Sequence, residues 1–328
     1  MAWLQFLVSA ALLLLAASKL AEYGDVIAAR TRLGGMFIGT LLLAGATSLP
    51  ELLTTVNSLF QNVPNLAAGN LYGSNMFNMF LLGLLDMAFY QVRVLRQVAL
   101  KHALSASLAS LLISMAVLFP MANIGLSIGW VGLDSLALIV VYILGVRLLR
   151  SEGSAALAAA EEAEVASLPP LWRALLGFSL ATAVLAVASP LLVSSAAAIA
   201  EITGLGTSFI GITLVGMVTS LPEAATTVAA ARIGAFDLAV GNLFGSNMFN
   251  MLVLGLTDFF FTKGRFLSVI DPGFVLVGLL GLLMTILALV NNLARSERRL
   301  LIAEVDALLL VACYFAGLYF FYVRQIGL

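Results

Sequence analysis

Apolar residues in this chain gather into long runs that are separated by short charged or turn-forming breaks. A run of about 20 apolar residues is long enough to cross a bilayer as an α-helix. Ten runs fit this description, and we predict membrane spans at 3–28, 34–60, 65–91, 98–119, 127–149, 171–200, 206–230, 237–261, 272–293 and 301–323. The pattern therefore predicts an all-α integral membrane protein with ten transmembrane helices, whose surroundings are the lipid bilayer.

The composition predicts the same class of protein. Of the 328 residues, 62% are hydrophobic and 10% are charged, whereas a soluble domain carries roughly 25% charged residues. The net charge of −1 leaves no basic surface for phosphates, so nucleic acid is not an expected partner. The sequence indicates neither a cofactor nor an obligatory protein partner.

Lysine and arginine are distributed unevenly about the predicted spans. Twelve of them fall on one side of the membrane, and Lys263, Arg265 and Arg324 fall on the other, with Lys19 inside or near the end of the first span. Cytoplasmic loops carry the excess of positive charge. We therefore expect both termini outside the cytoplasm and the acidic linker 151–170 inside it, in a plasma or inner membrane.

The two halves of the chain contain an internal repeat. Residues 39–86 align without a gap on 211–258, with 26 of 48 residues identical. Each half, 1–150 and 171–328, carries five predicted spans, and because five is odd the second half must enter the membrane from the opposite side. The sequence thus predicts two inverted five-helix repeats, an architecture in which secondary transporters place the substrate site where the repeats meet.

A glutamate recurs at the same position of both repeats, deep inside an apolar span. A carboxylate at the depth of Glu51 or Glu223 is costly unless it is protonated, paired or bound to a cation. No lysine or arginine lies in the identical blocks around either glutamate. The repetition favours a cation site at the midplane over a neutral glutamic acid that merely bonds a neighbouring helix.

Oxygen donors accompany each glutamate. Thr47, Ser48 and Glu51 have the i, i+1, i+4 spacing of one helical face, and Pro50 frees the carbonyl of Ala46 and predicts a bend. The next span of each repeat carries a polar stripe at i, i+4 and i+8, formed by Asn70, Ser74 and Asn78 and by Asn242, Ser246 and Asn250. Such a stripe suits either a coordination shell or contact between helices.

All of these groups are hard oxygen donors, and no histidine or cysteine lies among them, which disfavours zinc, copper and iron. Ca²⁺ takes six to eight oxygen ligands in flexible geometry. Two carboxylates match one Ca²⁺ in charge and can also be shared by Na⁺ ions or protons. The donors therefore predict a site for which Ca²⁺ competes with a monovalent cation.

Both repeats resemble the cation/calcium exchanger superfamily, through GATSLPELLTTV…GNLYGSNMFNM and GMVTSLPEAATTV…GNLFGSNMFNM. The resemblance implies a sodium/calcium exchanger of prokaryotic type that works by alternating access, with the first and sixth spans sliding against the other helices. It also implies an ion-binding set, in which backbone carbonyls near Ala44 and Gly216 complete the side-chain ligands. The full set is Ala44, Thr47, Ser48, Glu51, Ser74, Asn78, Gly216, Thr219, Ser220, Glu223, Ser246 and Asn250.

The chain departs from the superfamily pattern in its details. Ala46 and Val218 stand before the Thr-Ser pairs, where the family usually has glycine, and Asn250 stands where some relatives carry aspartate. The apolar pairs 71–72 and 243–244 follow Gly-Asn, where the proton-coupled branch tends to carry an acidic residue. The apolar pairs favour Na⁺ as the counter-ion, Asn250 leaves potassium coupling and stoichiometry open, and Ala46 and Val218 predict a different local helix geometry.

Two other functions stay open on the residues alone. One is an H⁺/Ca²⁺ antiporter on the same scaffold, and the other is a cation channel lined by the same oxygen ligands. An intramembrane enzyme is not expected, because no catalytic constellation is evident. Asp86 and Asp258 recur in the repeats but fall near span ends, where interfacial anchoring is the expected role.

Overall fold

The computed structural model describes residues 1–30, 44–89, 92, 94–123, 125–152, 168–294, 299–300 and 303–325. The described part is mostly helical. Its helices are α1 (Ala2–Arg30), α2 (Leu49–Phe60), α3 (Pro64–Ala88), α4 (Val94–Ala122), α5 (Leu133–Glu152), α6 (Leu171–Thr203), α7 (Thr207–Ile210), α8 (Gly216–Thr219), α9 (Leu221–Arg232), α10 (Phe236–Phe260), α11 (Phe266–Val269), α12 (Phe274–Ala294) and α13 (Val305–Gln325). A π-helix, Gly211–Val215, joins α7 to α8.

Five helical stretches are long and apolar enough to cross a membrane, which confirms the prediction of a largely helical integral membrane protein. They are Ala2–Gly24, His102–Ala122, Leu171–Thr203, Phe236–Phe260 and Val305–Arg324. A sixth span is available if Thr207–Thr219 and Leu221–Arg232, which meet at a bend of 42°, cross as one unit. Helix α3 is as long as α10, at 25 residues, but its four asparagines, one more than in α10, reduce its apolar character.

Two predicted spans begin later than expected because a short β-hairpin precedes each helix. Strands β1 (Ser127–Ile128) and β2 (Val131–Gly132) pair antiparallel just before α5. Gly129 has φ of 65° in the connecting turn, a conformation that glycine adopts without steric cost. Strands β3 (Arg299–Leu300) and β4 (Ala303–Glu304) likewise precede α13.

Buried apolar side chains form two separate clusters. The larger cluster joins α3, α4, α10, α12 and α13. The smaller one is centred on α1 and α6, which lie side by side and make the most extensive helix–helix contact between the described elements. The helices that correspond in the two halves, α1 and α6, thus pack mainly on each other.

Helix α3 approaches the backbone of the 207–219 segment very closely. A Cβ atom added at Gly69 would lie 2.8 Å from Gly211 Cα, and one at Gly73 would lie 2.4 Å from the carbonyl oxygen of Ile212. Only glycine permits this separation, as the GxxxG spacing of Gly69 and Gly73 predicts. The contact brings the polar stripe of α3 against the second half of the chain.

Candidate functional site

Each half of the chain has a helix break immediately before its glutamate. Ser48 (φ −89°, ψ 8°) and Ser220 (φ −87°, ψ 4°) leave helical geometry at equivalent positions, and α2 and α9 begin at the next residue. The prolines lie in the first turn of these helices, where the missing N–H has no intrahelical partner to lose. The helix is therefore interrupted two residues before each proline, and in the second half the segments on either side meet at an angle of 42°.

The breaks place both glutamates in the first turn of a helix. Glu51 lies in the first turn of α2, and Glu223 lies in the first turn of α9. A helix N-terminus carries partial positive charge, which favours a carboxylate there. Both side chains are completely buried. Ionised carboxylates at this depth therefore have a helix dipole as one source of stabilisation.

The glutamates are held by serines of the opposite half. Ser48 Oγ donates to Glu223 Oε1 at 2.7 Å, and Ser220 Oγ donates to Glu51 Oε1 at 3.0 Å. The two bonds are equivalent by the internal repeat, because each joins the serine of one half to the glutamate of the other. The structure thus brings together four of the predicted site residues across the boundary between the repeats.

A second hydroxyl reaches each carboxylate from the following helix of the same half. Ser74 Oγ donates to Glu51 Oε1 at 3.4 Å, and Ser246 Oγ donates to Glu223 Oε1 at 3.3 Å. Both serine hydroxyls that contact each carboxylate therefore bond its Oε1 atom and not its Oε2 atom. Among the described residues, Oε2 of Glu51 and Oε2 of Glu223 are buried and have no hydrogen-bond donor.

The threonines and carbonyl groups of the predicted set lie in the same region. Thr47 Oγ1 donates to the carbonyl of Ala44 at 3.1 Å, and Thr219 Oγ1 donates to Asn70 Oδ1 at 2.9 Å. The Gly216 carbonyl lies 3.2 Å from Ser74 Oγ, whose single hydroxyl hydrogen it shares with Glu51 Oε1, and it also accepts from the N–H of Ser220 at 3.3 Å. Both predicted carbonyl ligands therefore accept hydrogen bonds here, and a cation would have to replace or share those bonds.

Asn78 and Asn250, the last members of the polar stripes, form bonds that cross between the halves. Asn78 Nδ2 donates to Asn247 Oδ1, and Asn250 Nδ2 donates to Asn75 Oδ1, both at 3.0 Å. Asn75 and Asn247 are absent from the set predicted from sequence. Each follows a stripe serine by one residue and so falls outside the i, i+4 spacing, although both lie in the identical Gly-Ser-Asn-Met-Phe-Asn-Met blocks.

Asn70 and Asn242, the first members of the stripes, serve contact between helices. Asn70 Nδ2 donates to the Glu51 carbonyl and to Thr55 Oγ1, both at 3.1 Å. Asn242 Nδ2 donates to hydroxyls of α9, at 3.0 Å to Thr226. These amides tie α3 to α2 and α10 to α9, and they hold the helices that carry the glutamates.

The charge of this cluster is unbalanced among the described residues. No lysine, arginine or histidine of that part of the chain forms an ion pair with either Glu51 or Glu223. Among the described residues, the buried oxygens without a donor include Oε2 of both glutamates and Oδ1 of Asn78 and Asn250. Unpaired buried acceptors are costly, and a bound cation is one ligand that can satisfy such oxygens.

Asp258 has a structural role at the end of α10. Its Oδ1 accepts from the N–H of Phe266 at 2.6 Å, and its Oδ2 accepts from the N–H of Gly132 at 2.8 Å. The carboxylate thus joins the loop after α10 to the β1–β2 hairpin. It belongs to one end of the bundle and not to the glutamate cluster.

Comparisons with known proteins agree with this architecture. The family model for sodium/calcium exchanger proteins matches residues 1–149 and 173–323. A putative antiporter, CaxA of Alkalimonas amylolytica, is 30% identical over 264 residues, which cover 76% of this chain and 78% of that protein.

Two solved structures share the fold. The H⁺/Ca²⁺ exchanger CAX gives a TM-score of 0.68 at 15% identity, covering 99% of this chain and 89% of that one. The sodium-calcium exchanger NCX_Mj gives 0.62 at 22% identity, covering 97% of each chain. Since the family model spans nearly the whole chain, this protein belongs to the sodium/calcium exchanger protein family, a family of membrane antiporters.

Proposed function

We infer that this protein is a secondary active antiporter that exchanges Na⁺ for Ca²⁺ across a membrane by alternating access. The transported ions bind between Glu51 and Glu223, near the midplane. The observation that carries this proposal is the crossed pair of Ser48–Glu223 and Ser220–Glu51 hydrogen bonds, beside two fully buried Oε2 atoms without donors. Coupling between Ca²⁺ and cations is common to the family, and the choice of Na⁺ as counter-ion belongs to this proposal.

Ca²⁺ fits the donor set in charge and in number. Two carboxylates balance one divalent cation, and hydroxyl, amide and carbonyl oxygens supply the remaining ligands that Ca²⁺ requires. The proposed ligand positions are the twelve predicted from the family resemblance, and the described side chains among them are buried. An ion-free site with two unpaired carboxylates is costly to move through the membrane, so either Ca²⁺ or monovalent cations must occupy it during transport.

The topology proposed for transport is ten transmembrane helices in two inverted repeats, 1–150 and 171–328, joined by the 151–170 linker. Contacts at the helix ends support it. Lys263 bonds Asn62, and Arg265 Nη2 donates to Asn123 Oδ1 at 2.8 Å. All four residues fall on the side that the charge distribution assigns to the outside.

A contact at the opposite rim fits the same arrangement. His102 lies 3.8 Å from Asp237, and both fall on the side assigned to the cytoplasm. Both termini are accordingly proposed to lie outside and the linker inside. Helices α1 and α6 are the proposed moving pair, because they pack chiefly on each other, in a cluster that is separate from the larger one.

Proton coupling is the second candidate, because the H⁺/Ca²⁺ exchanger fold matches this chain as well as the sodium-coupled fold does. Sodium is preferred because apolar residues follow both Gly-Asn pairs: Leu71 and Tyr72 after the first, Leu243 and Phe244 after the second. Among the described residues the glutamate cluster contains no further acidic side chain that could carry protons.

Radioactive Ca²⁺ uptake into proteoliposomes tests these alternatives directly. Vesicles loaded with Na⁺ are diluted into Na⁺-free buffer, and parallel vesicles carry only a pH gradient. We expect uptake that requires internal Na⁺ and saturates with Ca²⁺. Uptake driven by the pH gradient alone would assign the protein to proton coupling, and non-saturating uptake without any counter-ion would indicate a channel.

A further inference from the structure

Two asparagine side chains, each one helical turn beyond a serine that bonds a glutamate, are hydrogen-bonded to an asparagine from the other half. Asn78 Nδ2 donates to Asn247 Oδ1, and Asn250 Nδ2 donates to Asn75 Oδ1. All four side chains are at most 2% exposed. These two bonds are equivalent by the internal repeat, as are the two serine–glutamate bonds.

The two ends of an asparagine side chain differ in what they offer a cation. The amide oxygen accepts hydrogen bonds and ligates hard cations, whereas the NH₂ group only donates. Rotation about the last side-chain bond exchanges the two ends. An acceptor that engages the nitrogen therefore decides which end is left for an ion.

In this structure the nitrogens of Asn78 and Asn250 are both engaged, and their Oδ1 atoms have no donor among the described residues. Ser74 precedes Asn78 by one helical turn and bonds Glu51, and Ser246 stands in the same relation to Asn250 and Glu223. The unpaired amide oxygens thus continue the helix face that meets the carboxylates.

We propose that Asn75 and Asn247 are positioning residues that fix the amide orientation of Asn250 and Asn78, so that two neutral oxygens face the transported cation. The proposal rests on the proposed function and adds two residues to it. Neither positioning residue touches the ion. Loss of such an outer partner typically lowers metal affinity by about 10–100-fold.

The competing explanation is that the four asparagines only hold α3 against α10. The 3.4 Å bond from Asn247 Nδ2 to the carbonyl of Asn75 shows that these helices are tied together here in any case. The two roles predict different results when position 250 is aspartate. A carboxylate presents an oxygen in either orientation, so a positioning partner is no longer needed there, whereas a packing partner still is.

A double-mutant cycle separates the two roles. Wild type, Asn75→Leu, Asn250→Asp and the double variant are purified in detergent, and the Ca²⁺ concentration that gives half-maximal thermal stabilisation is measured for each. We expect Asn75→Leu to raise this concentration by about 10–100-fold in the wild-type background and by less than about threefold with aspartate at position 250. Thr285→Val is the matched control, because it removes one buried hydrogen bond, of 2.8 Å to the Gly281 carbonyl, away from the glutamates.

The mirror-image pair, Asn247→Leu with and without Asn78→Asp, should give the same pattern. Asn75→Ala replaces Asn75→Leu if the leucine variant folds poorly. Equal losses of Ca²⁺ affinity in both backgrounds, or no loss in either, would overturn the positioning role. A wild type that is stabilised by Ca²⁺ but exchanges none would overturn the antiport and leave this test valid, whereas a wild type that Ca²⁺ does not stabilise would overturn both.

Discussion

Ser48 in the first half of the chain donates a 2.7 Å hydrogen bond to Glu223 in the second half. The reciprocal bond from Ser220 to Glu51 means that each repeat holds the carboxylate of the other. The two carboxylates are therefore positioned together, by contacts outside the proposed moving pair α1 and α6. A fixed pair of carboxylates suits a transporter in which α1 and α6 slide past an ion site that stays in place.

Removal of either crossing hydroxyl should weaken calcium binding. Hydrogen bonds to charged groups contribute about 1.5–3 kcal/mol, so Ser48→Ala and Ser220→Ala should each raise the KM for Ca²⁺ by about tenfold or more. The two variants should behave alike because their bonds are related by the repeat. Concentration-dependent uptake into proteoliposomes measures the effect.

Ser58→Ala is the matched control for these variants, because Ser58 is also buried in α2 but donates only to the Thr54 carbonyl, at 2.8 Å. Its KM should stay within about twofold of wild type. Equal effects at positions 48 and 58 would mean that general weakening of α2, and not the crossed bond, changes calcium affinity.

Neutralising one glutamate should abolish exchange without unfolding the protein. Glu51→Gln and Glu223→Gln keep the size of the side chain but remove one of the two charges that balance Ca²⁺. A buried carboxylate without a counter-charge is destabilising, so the ion-free variants should melt at or above the temperature of the ion-free wild type. Their stabilisation by Ca²⁺ and their counter-ion-dependent uptake should both disappear. Wild-type calcium flux in either variant would refute the proposed site.

Much of this site could be predicted from the sequence because it depends on position within one repeat. Glu51 and Glu223 stand out as acids inside apolar runs, and helical spacing puts hydroxyls beside them. The serine that bonds each glutamate could not be predicted from the sequence, because the bond from Ser48 to Glu223 depends on how the two halves face each other. Asn75 was missed for a similar reason: it faces the other repeat and lies one residue off the stripe.

The fold was also predictable only in part. Long apolar runs indicate helices, but no local pattern reveals the π-helix at Gly211–Val215, which packs against α3. The apolar run that includes Ile128 and Trp130 predicts membrane helix where the structure has the β1–β2 hairpin before α5. Hydropathy does not distinguish apolar residues in a hairpin from those in a span.

The close approach of α3 to the 207–219 segment should not tolerate a methyl group. Gly73→Ala would place Cβ 2.4 Å from the Ile212 carbonyl oxygen and 2.7 Å from its Cα, so backbone must move. We expect a loss of about 1–3 kcal/mol in stability from overpacking, together with reduced transport. In the control Gly281→Ala, the nearest atom to the new Cβ is 3.7 Å away, and thermal unfolding should be nearly unchanged. Similar melting of the two variants would contradict the close contact.

The recurring aspartate of the second half should matter for stability and not for ions. Asp258→Ala leaves the N–H groups of Gly132 and Phe266 without their acceptor, at about 1–3 kcal/mol for each buried group. Thermal unfolding should therefore occur at a lower temperature, while the KM for Ca²⁺ of the folded fraction stays unchanged. An altered KM with normal stability would instead link Asp258 to transport.

The uncharged asparagine at position 250 leads to a prediction about membrane potential. Two carboxylates are neutralised by one Ca²⁺ or by two monovalent cations, so no net charge should cross the membrane in a complete cycle of the wild type. A third monovalent ion would leave a positive charge buried in the bilayer, which is strongly disfavoured. Exchange by the wild type should therefore be insensitive to a potassium diffusion potential of either sign, set with valinomycin.

Asn250→Asp should make exchange sensitive to potential. A third carboxylate is neutralised by three monovalent cations but leaves one negative charge with Ca²⁺, so each cycle would move one elementary charge. Such a charge is driven by about 2.3 kcal/mol per 100 mV, enough to change the calcium gradient at equilibrium roughly 50-fold. Asn78→Asp is the matched variant in the other half and should behave in the same way. Voltage-dependent exchange by the wild type would show instead that more than two monovalent cations return for each Ca²⁺, so that the two glutamates are not the only charges that the ions balance.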